Sequence, residues 1–344
     1  MRLHAQLLHP STAAKTAHEA VERAIIQAQD ARAARLGIRA RSTGLTEGGV
    51  ERERLEDRSF VRAWAMRGTI HLISSADYPW IRDLVAPPLI PPSQKRMAQE
   101  GMTPAMAERA RPIVRKLLQG GPATRAEMRE ALARRRIRPK GRQALVHLLF
   151  LMTYEGEIVT GPYVGTKETM VLARDWLGRR KARSPKDPAA ELARRYLLGY
   201  GPATIDDFRW WSGLRAADAR SGWAALGDEL VEEGTGLWRL RSQEPAGGAA
   251  APVRLIPIWD HYFLGYRDRT HVGPPEVVGG VGAGGMFNPL VVADGRAVAT
   301  WKLNRRGGGY GVGLEPLGRM PAKSAIASEA AEISRFLGSE VALD

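Results

Sequence analysis

Cysteine is missing from all 344 residues. Its absence excludes disulfides, thiolate metal sites, iron–sulfur clusters and a cysteine nucleophile. The fold must therefore hold together without covalent staples. Also missing is any run of 18 apolar residues, and the N-terminus carries no charged-then-apolar leader pattern. Neither membrane insertion nor export is expected, and the protein is read as cytoplasmic. The seven histidines, at 4, 9, 18, 71, 147, 261 and 271, fall at no metal-ligating spacing, so no metal is expected. The glycines between Gly279 and Gly285 lack the lysine and following helix of a phosphate-binding loop, so no nucleotide cofactor, and no cofactor of any kind, is expected.

What is present is a globular composition with a strong basic excess. The 51 Lys and Arg against 37 Asp and Glu give a formal charge of +14. Such a surface suits a polyanion, most plausibly nucleic acid, whose phosphates reward dispersed cations through counterion release. Arginine far outnumbers lysine, however, and a GC-rich genome produces the same bias. The length suits two or three conventional domains, or several small modules sharing a core.

Local patterns supply the elements. Ala17 to Ile26 and Ala31 to Arg41 read as helices, Val50 to Asp57 as a polar helix, and Thr69 to Ser74 as a β-branched strand. A helix from Asp77 to Leu84 is stopped by the proline pairs 87–88 and 91–92. Gly121-Pro122-Ala123-Thr124 recurs 80 residues later as Gly201-Pro202-Ala203-Thr204, each time between two helices, with Thr placed to cap the second. After the first copy come a basic connection, Ala126 to Arg134, then Leu145 to Glu155 where a recognition helix would lie, and a wing-like hairpin from Gly156–Gly161 and Glu168–Ala173. After the second come helices at 206–212 and 221–227 and a strand at 236–240. Glu244 to Pro252 reads as a linker. Beyond it, Arg254 to Trp259 reads as a strand, and Phe287 to Ala293 turns at Asp294-Gly295 into Ala297 to Leu303, a strong hairpin signal. A helix from about Ala322 to Phe336 follows.

The chemically suggestive stretch is Ile25-Ile26-Gln27-Ala28-Gln29-Asp30, at the seam between the first two helices. In one continuous helix, residues two apart point about 200° away from each other, so the two amides could not share a site. A break before Asp30, with Asp30 as N-cap, removes that objection. Each amide then offers an acceptor oxygen and two donor hydrogens. The competing reading is two glutamines at a helix end.

Three stretches occur in order: Ile26-Gln27-Ala28-Gln29-Asp30-Ala31-Arg32-Ala33-Ala34-Arg35-Leu36, Trp64 to Leu72, and Trp259 to Arg269. The series resembles the winged-helix DNA-binding-domain family that includes the bacterial azinomycin-resistance DNA glycosylases, over about residues 3–315. Its glycosylases carry a glutamine, any small or apolar residue, then glutamine or aspartate; Gln27 and Gln29 match the double-glutamine form.

The resemblance implies an α+β chain of three tandem winged-helix modules followed by a small C-terminal β-barrel-like domain. The boundaries expected are 1–88, 89–183, 184–250 and 251–344. It also implies a DNA glycosylase acting on double-stranded DNA with N7-alkylated or crosslinked purines, with Gln27 and Gln29 catalytic; three modules in one chain suggest wrapping a duplex as a monomer.

For DNA contact the candidates are Arg32, the run Arg134, Arg135, Arg136, Arg138, Lys140 and Arg142, and Arg305 with Arg306 in a glycine-rich turn. Arg67, His71, Asp260, His261, Arg267 and Arg269 are candidates for either a cleft lining or a buried interdomain network. Two rival readings remain: a non-catalytic winged-helix transcriptional regulator, and a protein-interaction scaffold. The chain shows no dimerisation helix for the first, and the basic charge is unexplained by the second.

Overall fold

A computed structural model describes residues 1–243, 252–280 and 288–344. They form two compact units, one of residues 1–53 and 189–344, the other of residues 54–188. Most of the expected linker at 244–252, most of the glycine stretch at 279–285, and Phe287 lie outside the described residues. The segment expected as the first module, 1–88, is shared between the two units.

The first unit opens with α1 (Arg2–Ala5), α2 (Ala17–Ala24), α3 (Ala31–Ala40) and α4 (Glu47–Leu55). In α2, Ala17, Ala20, Val21 and Ala24 form the buried stripe expected of an amphipathic helix. Thr16 accepts from the Glu19 N–H at 3.0 Å while the Glu19 carboxylate accepts from the Thr16 N–H at 3.3 Å, a reciprocal cap. The helix stops two residues short of the expected Ile26, because Ile25 takes the left-handed conformation, φ 43° and ψ 82°. That conformation is costly for a β-branched side chain.

The second unit begins with the antiparallel pair β1 (Phe60–Trp64) and β2 (Ile70–Ser74), buried along its whole length. The helix α5 (Tyr78–Val85) ends before the prolines, but Pro91 and Pro92 then sit in the first turn of a further helix, α6 (Ile90–Gln99), where a missing N–H does no harm. Next come α7 (Pro104–Gln119), β3 (Ala123–Thr124), α8 (Arg125–Arg134), α9 (Ala144–Tyr154), the hairpin β4 (Ile158–Val164) and β5 (Lys167–Leu172), and α10 (Ala173–Leu177). The sheet order is β3-β5-β4.

Two expectations are corrected here. Ala126 to Arg134 is helical, not a connection; only Met128 and Leu132 anchor it, too few to show as periodicity. The stretch expected as a recognition helix, α9, is a core helix with eight of its eleven residues buried. A helix buried over most of its length has little surface left to offer a groove.

The first unit resumes with α11 (Pro188–Tyr200), α12 (Ile205–Ser212), α13 (Ala216–Ala224) and the pair β6 (Leu230–Gly234) and β7 (Leu237–Leu240), with Ala203 bridged to Trp238. It then adds β8 (Arg254–Ile256), α14 (His261–Leu264), α15 (Pro275–Gly280), β9 (Leu290–Ala293), β10 (Arg296–Arg306), β11 (Gly309–Pro316), α16 (Lys323–Leu337) and β12 (Val341–Leu343). These five strands form one sheet of order β12-β11-β10-β9-β8, a curled half-barrel with β12 parallel to β11.

The β9–β10 turn is made as expected by Asp294 (φ 48°) and Gly295 (φ 78°), the pairing that tight hairpins favour. The core under the sheet joins Leu8 and Ala40 to Ile256, Tyr262, Leu290 and Val292. At its edge Glu329 accepts from Arg39 (2.8 Å), Arg254 (2.9 Å) and the Leu255 N–H (2.9 Å). Burial works against ionising Glu329, but the two guanidiniums and these bonds outweigh it and hold the carboxyl below its usual range. Among the described residues no helix is long and apolar enough to cross a membrane.

Candidate active site

The six residues between α2 and α3 are where the chain departs from helix while staying inside the unit. Ile25, Ile26, Gln27 and Ala28 are buried, Gln27 to 7% exposure, and Gln29 and Asp30 are exposed. Asp30 caps α3 as expected, its carboxylate accepting from the Ala33 N–H at 2.7 Å. The helix has therefore ended six residues before Asp30, and the geometric objection to a shared site for the two glutamines does not apply.

The end of α2 is held from outside. Helix ends leave carbonyls without intrahelical partners, and the Tyr200 hydroxyl donates to the Ala24 carbonyl at 2.6 Å, with the Ile25 carbonyl at 3.4 Å. A Cβ on Gly199 would collide with the Arg23 carbonyl oxygen, so only glycine lets α11 approach this closely.

Arg32, on α3, is half-buried with its guanidinium 4.7 Å from the Tyr310 ring centroid. The aromatic and charged stretch 259–269 resolves into two parts. Asp260 and His261 are buried. Asp260 pairs with Arg41 through two bonds of 2.8 Å and caps α14 by accepting from the Tyr262 N–H at 2.7 Å.

Arg41 is fully buried and also donates to Gln6 at 2.9 Å; Gln6 donates to the Tyr266 hydroxyl at 3.0 Å, which donates to the Tyr200 carbonyl at 2.7 Å. Burial alone would raise the Asp260 carboxyl, but the Arg41 guanidinium leads the groups that keep it below its ordinary value. Asp260 thus sits in a buried ion pair within the first unit. The ring of His261 lies 5.5 Å from that of Tyr200.

Arg267 is exposed and pairs with Asp206 at 2.9 Å. Arg269 lies between the rings of Phe263 (4.8 Å) and Trp210 (5.8 Å), and burial lowers its pKa.

Arg67 and His71 belong to the second unit. Arg67 is half-buried in a tight turn at φ 56°. His71 is buried in β2 with Nδ1 3.1 Å from the Thr69 carbonyl. Burial, helped by the nearby Arg67, pushes the imidazole down to about 3, so it is neutral at pH 7.

The basic run lies in the same unit, on the α8–α9 connection. Arg134, Arg135, Arg136, Arg138, Lys140 and Arg142 are all exposed while Ile137, 2% exposed, pins the loop from within. Arg134 spends part of its charge on Glu130 at 2.6 Å. Arg305 and Arg306 are exposed too, but as the last two residues of β10 rather than in a turn, and Arg306 pairs with Asp344 at 3.1 Å.

Within the first unit, then, the glutamine segment and the Asp260 motif are joined through Tyr200, Tyr266, Gln6 and Arg41. None of these four was a sequence candidate. A cavity of about 590 Å³ opens beside α2, among Thr12, Lys15, Glu19, Arg23 and Arg195, and neither glutamine lines it.

A family model described as DNA glycosylase AlkZ-like matches residues 23–336. The chain belongs to the AlkZ-like DNA glycosylase family, and its class is that of enzymes cleaving the bond between base and sugar in DNA. The "interstrand DNA cross-link repair glycosylase" of Streptomyces sahachiroi is 29% identical over 321 residues, covering 88% of this chain and 86% of that protein. The solved structure of the Streptomyces sahachiroi DNA glycosylase AlkZ is similar in fold, with a TM-score of 0.80, 27% identity, and coverage of 100% of this chain and 96% of that one. A non-catalytic regulator is not favoured.

Proposed function

We propose that the protein is a monofunctional glycosylase that removes N7-alkylated purines from double-stranded DNA, bulky adducts and interstrand crosslinks included. It would serve DNA repair and resistance to a genotoxic natural product, as a cytoplasmic monomer without a cofactor. The observation that carries this reading is the broken helix at Ile25, which leaves Gln27 anchored in the interior and Gln29 at the surface before the Asp30 cap.

In the reaction the C1′–N9 bond breaks and its electron pair neutralises the cationic base. Water oxygen bonds to C1′ and its proton passes to solvent. A neutral amide is no general base near pH 7, so Gln27 and Gln29 face one cleft and act by orienting and polarising that water as the sugar gains oxocarbenium character. Such a site needs a leaving base that is already activated, which N7 alkylation supplies.

The chain order helix, short strand or bridge, two helices and hairpin occurs at 104–172 and again at 188–240, and we read it, with the N-terminal segment, as three tandem winged helices at 1–88, 89–183 and 184–250, followed by the half-barrel domain at 251–344. Duplex contact is assigned to Arg32, to Arg134, Arg135, Arg136, Arg138, Lys140 and Arg142, and to Arg305 and Arg306. The exposed run at 134–142 supports this best. The test is incubation with duplex carrying a single N7-methylguanine, then alkaline cleavage. Strand scission at the lesion is expected; an intact strand after prolonged incubation with folded protein would overturn the assignment.

A further inference from the structure

A β-branched residue, Ile25, is held in the left-handed region two residues before Gln27. Strained backbone persists only where its surroundings over-determine it. At Ile25 those surroundings are specific. The Ile25 side chain is buried at 5% exposure, its N–H still bonds back to the Val21 carbonyl at 2.9 Å, and the Tyr200 hydroxyl takes the Ala24 carbonyl at 2.6 Å.

Tyr200 is itself fixed on every side. It is 1% exposed, its ring stacks on Tyr196 at 4.9 Å, and its carbonyl accepts from Tyr266. Its ring also packs against that of Trp211, with centroids 5.3 Å apart. Packed in this way, the hydroxyl is directed at α2, where it donates to the Ala24 carbonyl.

We propose that Tyr200 is a positioning residue of the glycosylase site, its hydroxyl holding the strained turn at Ile25 from which Gln27 and Gln29 are delivered. The inference rests on the reading of the glutamine pair as the reacting groups. Tyr200 touches neither substrate nor water; it acts through the backbone of residues 24 and 25.

Tyr196 provides the internal control. Its hydroxyl is equally buried and donates to the Gly265 carbonyl at 3.0 Å, in the same aromatic stack but away from α2. The experiment measures single-turnover release of N7-methylguanine from a duplex, affinity for the undamaged duplex, and Tm, for the full chain and for Tyr200→Phe, Tyr196→Phe and Gln27→Ala.

Tyr200→Phe is expected to slow release about tenfold or more at unchanged DNA affinity, whereas Tyr196→Phe lowers Tm by a similar amount and releases base at the parent rate. If Gln27→Ala is slow and Tyr200→Phe is not, or if both tyrosine variants slow alike, the positioning role is wrong. If Gln27→Ala keeps the parent rate, the reading beneath it is wrong instead. Should Tyr200→Phe fail to fold, Trp211→Phe probes the same contact by loosening the ring packing that seats Tyr200: slower release at unchanged affinity supports the proposal, and the parent rate overturns it.

Discussion

The two Gly-Pro-Ala-Thr copies are built alike and used differently. In each the threonine closes a reciprocal cap with the third residue of the next helix, Thr124 with Glu127 and Thr204 with Asp207. In each the alanine joins a strand, Ala123 to Met170 and Ala203 to Trp238. Around the first copy Glu127 is exposed, and the helix it caps runs out into an uncovered basic loop.

Around the second copy Asp207 is 1% exposed and takes on further donors, the backbone N–H groups of Arg267 (2.8 Å) and Asp268 (3.2 Å). The helix before it ends in Tyr200, against α2. One motif thus leads into an exposed basic loop, and the other is covered by its own chain and packs beside the glutamine segment. A local signature identifies a module, and the module's neighbours decide what it does.

This contrast can be broken most severely at the supported side. Replacing Arg41 by methionine leaves the Asp260 carboxylate buried and unpaired, and should cost on the order of 3–5 kcal/mol by chemical denaturation. A loss below 1 kcal/mol would show that the network does not hold the first unit together.

A smaller difference separates the two caps. Asp207→Ala removes the acceptor from three backbone N–H groups and should cost about 2–3 kcal/mol. Glu127→Ala, at an exposed position, should leave the denaturation midpoint nearly in place, and equal losses would erase the distinction.

Least costly to the fold is the loss of basic side chains at the first copy. Converting Arg135, Arg136 and Arg138 together to alanine should leave Tm unchanged, weaken duplex binding uniformly across sequences, and reduce the salt slope by about one to three units. Unchanged affinity in low salt would remove this loop from the DNA-binding surface.

What could be read in advance follows the range of the interactions involved. The break before Asp30, the two threonine caps and the Asp294-Gly295 hairpin each depend on a few adjacent residues, and each is found. The early stop at Ala24 was misplaced by two residues because Ile25 continues the apolar spacing while its backbone does not. Ala144 to Tyr154 has the length of a recognition helix, and only the burial of eight of its eleven residues reveals a core element. Arg41 and Asp260 lie 219 residues apart and Tyr200 lies 176 from Ala24, so nothing local marks them as partners. Among dozens of arginines, nothing in the sequence marks Arg41 as fully buried.

The central claim is that Gln27 and Gln29 form the reacting site, and it is tested most directly by the single-turnover rate of N7-methylguanine release from duplex DNA by the parent, Gln27→Ala, Gln29→Ala and the double variant. Removing one oriented hydrogen-bonding group should cost about 2–4 kcal/mol in the transition state, roughly a hundredfold in rate, with duplex affinity nearly intact. The double variant should be little slower than either single one, since both amides hold one water. Gln29→Glu should retain more activity than Gln29→Ala. Release at the parent rate by both single alanine variants, with unchanged circular dichroism, would contradict the account and leave the glutamines as the end of a helix.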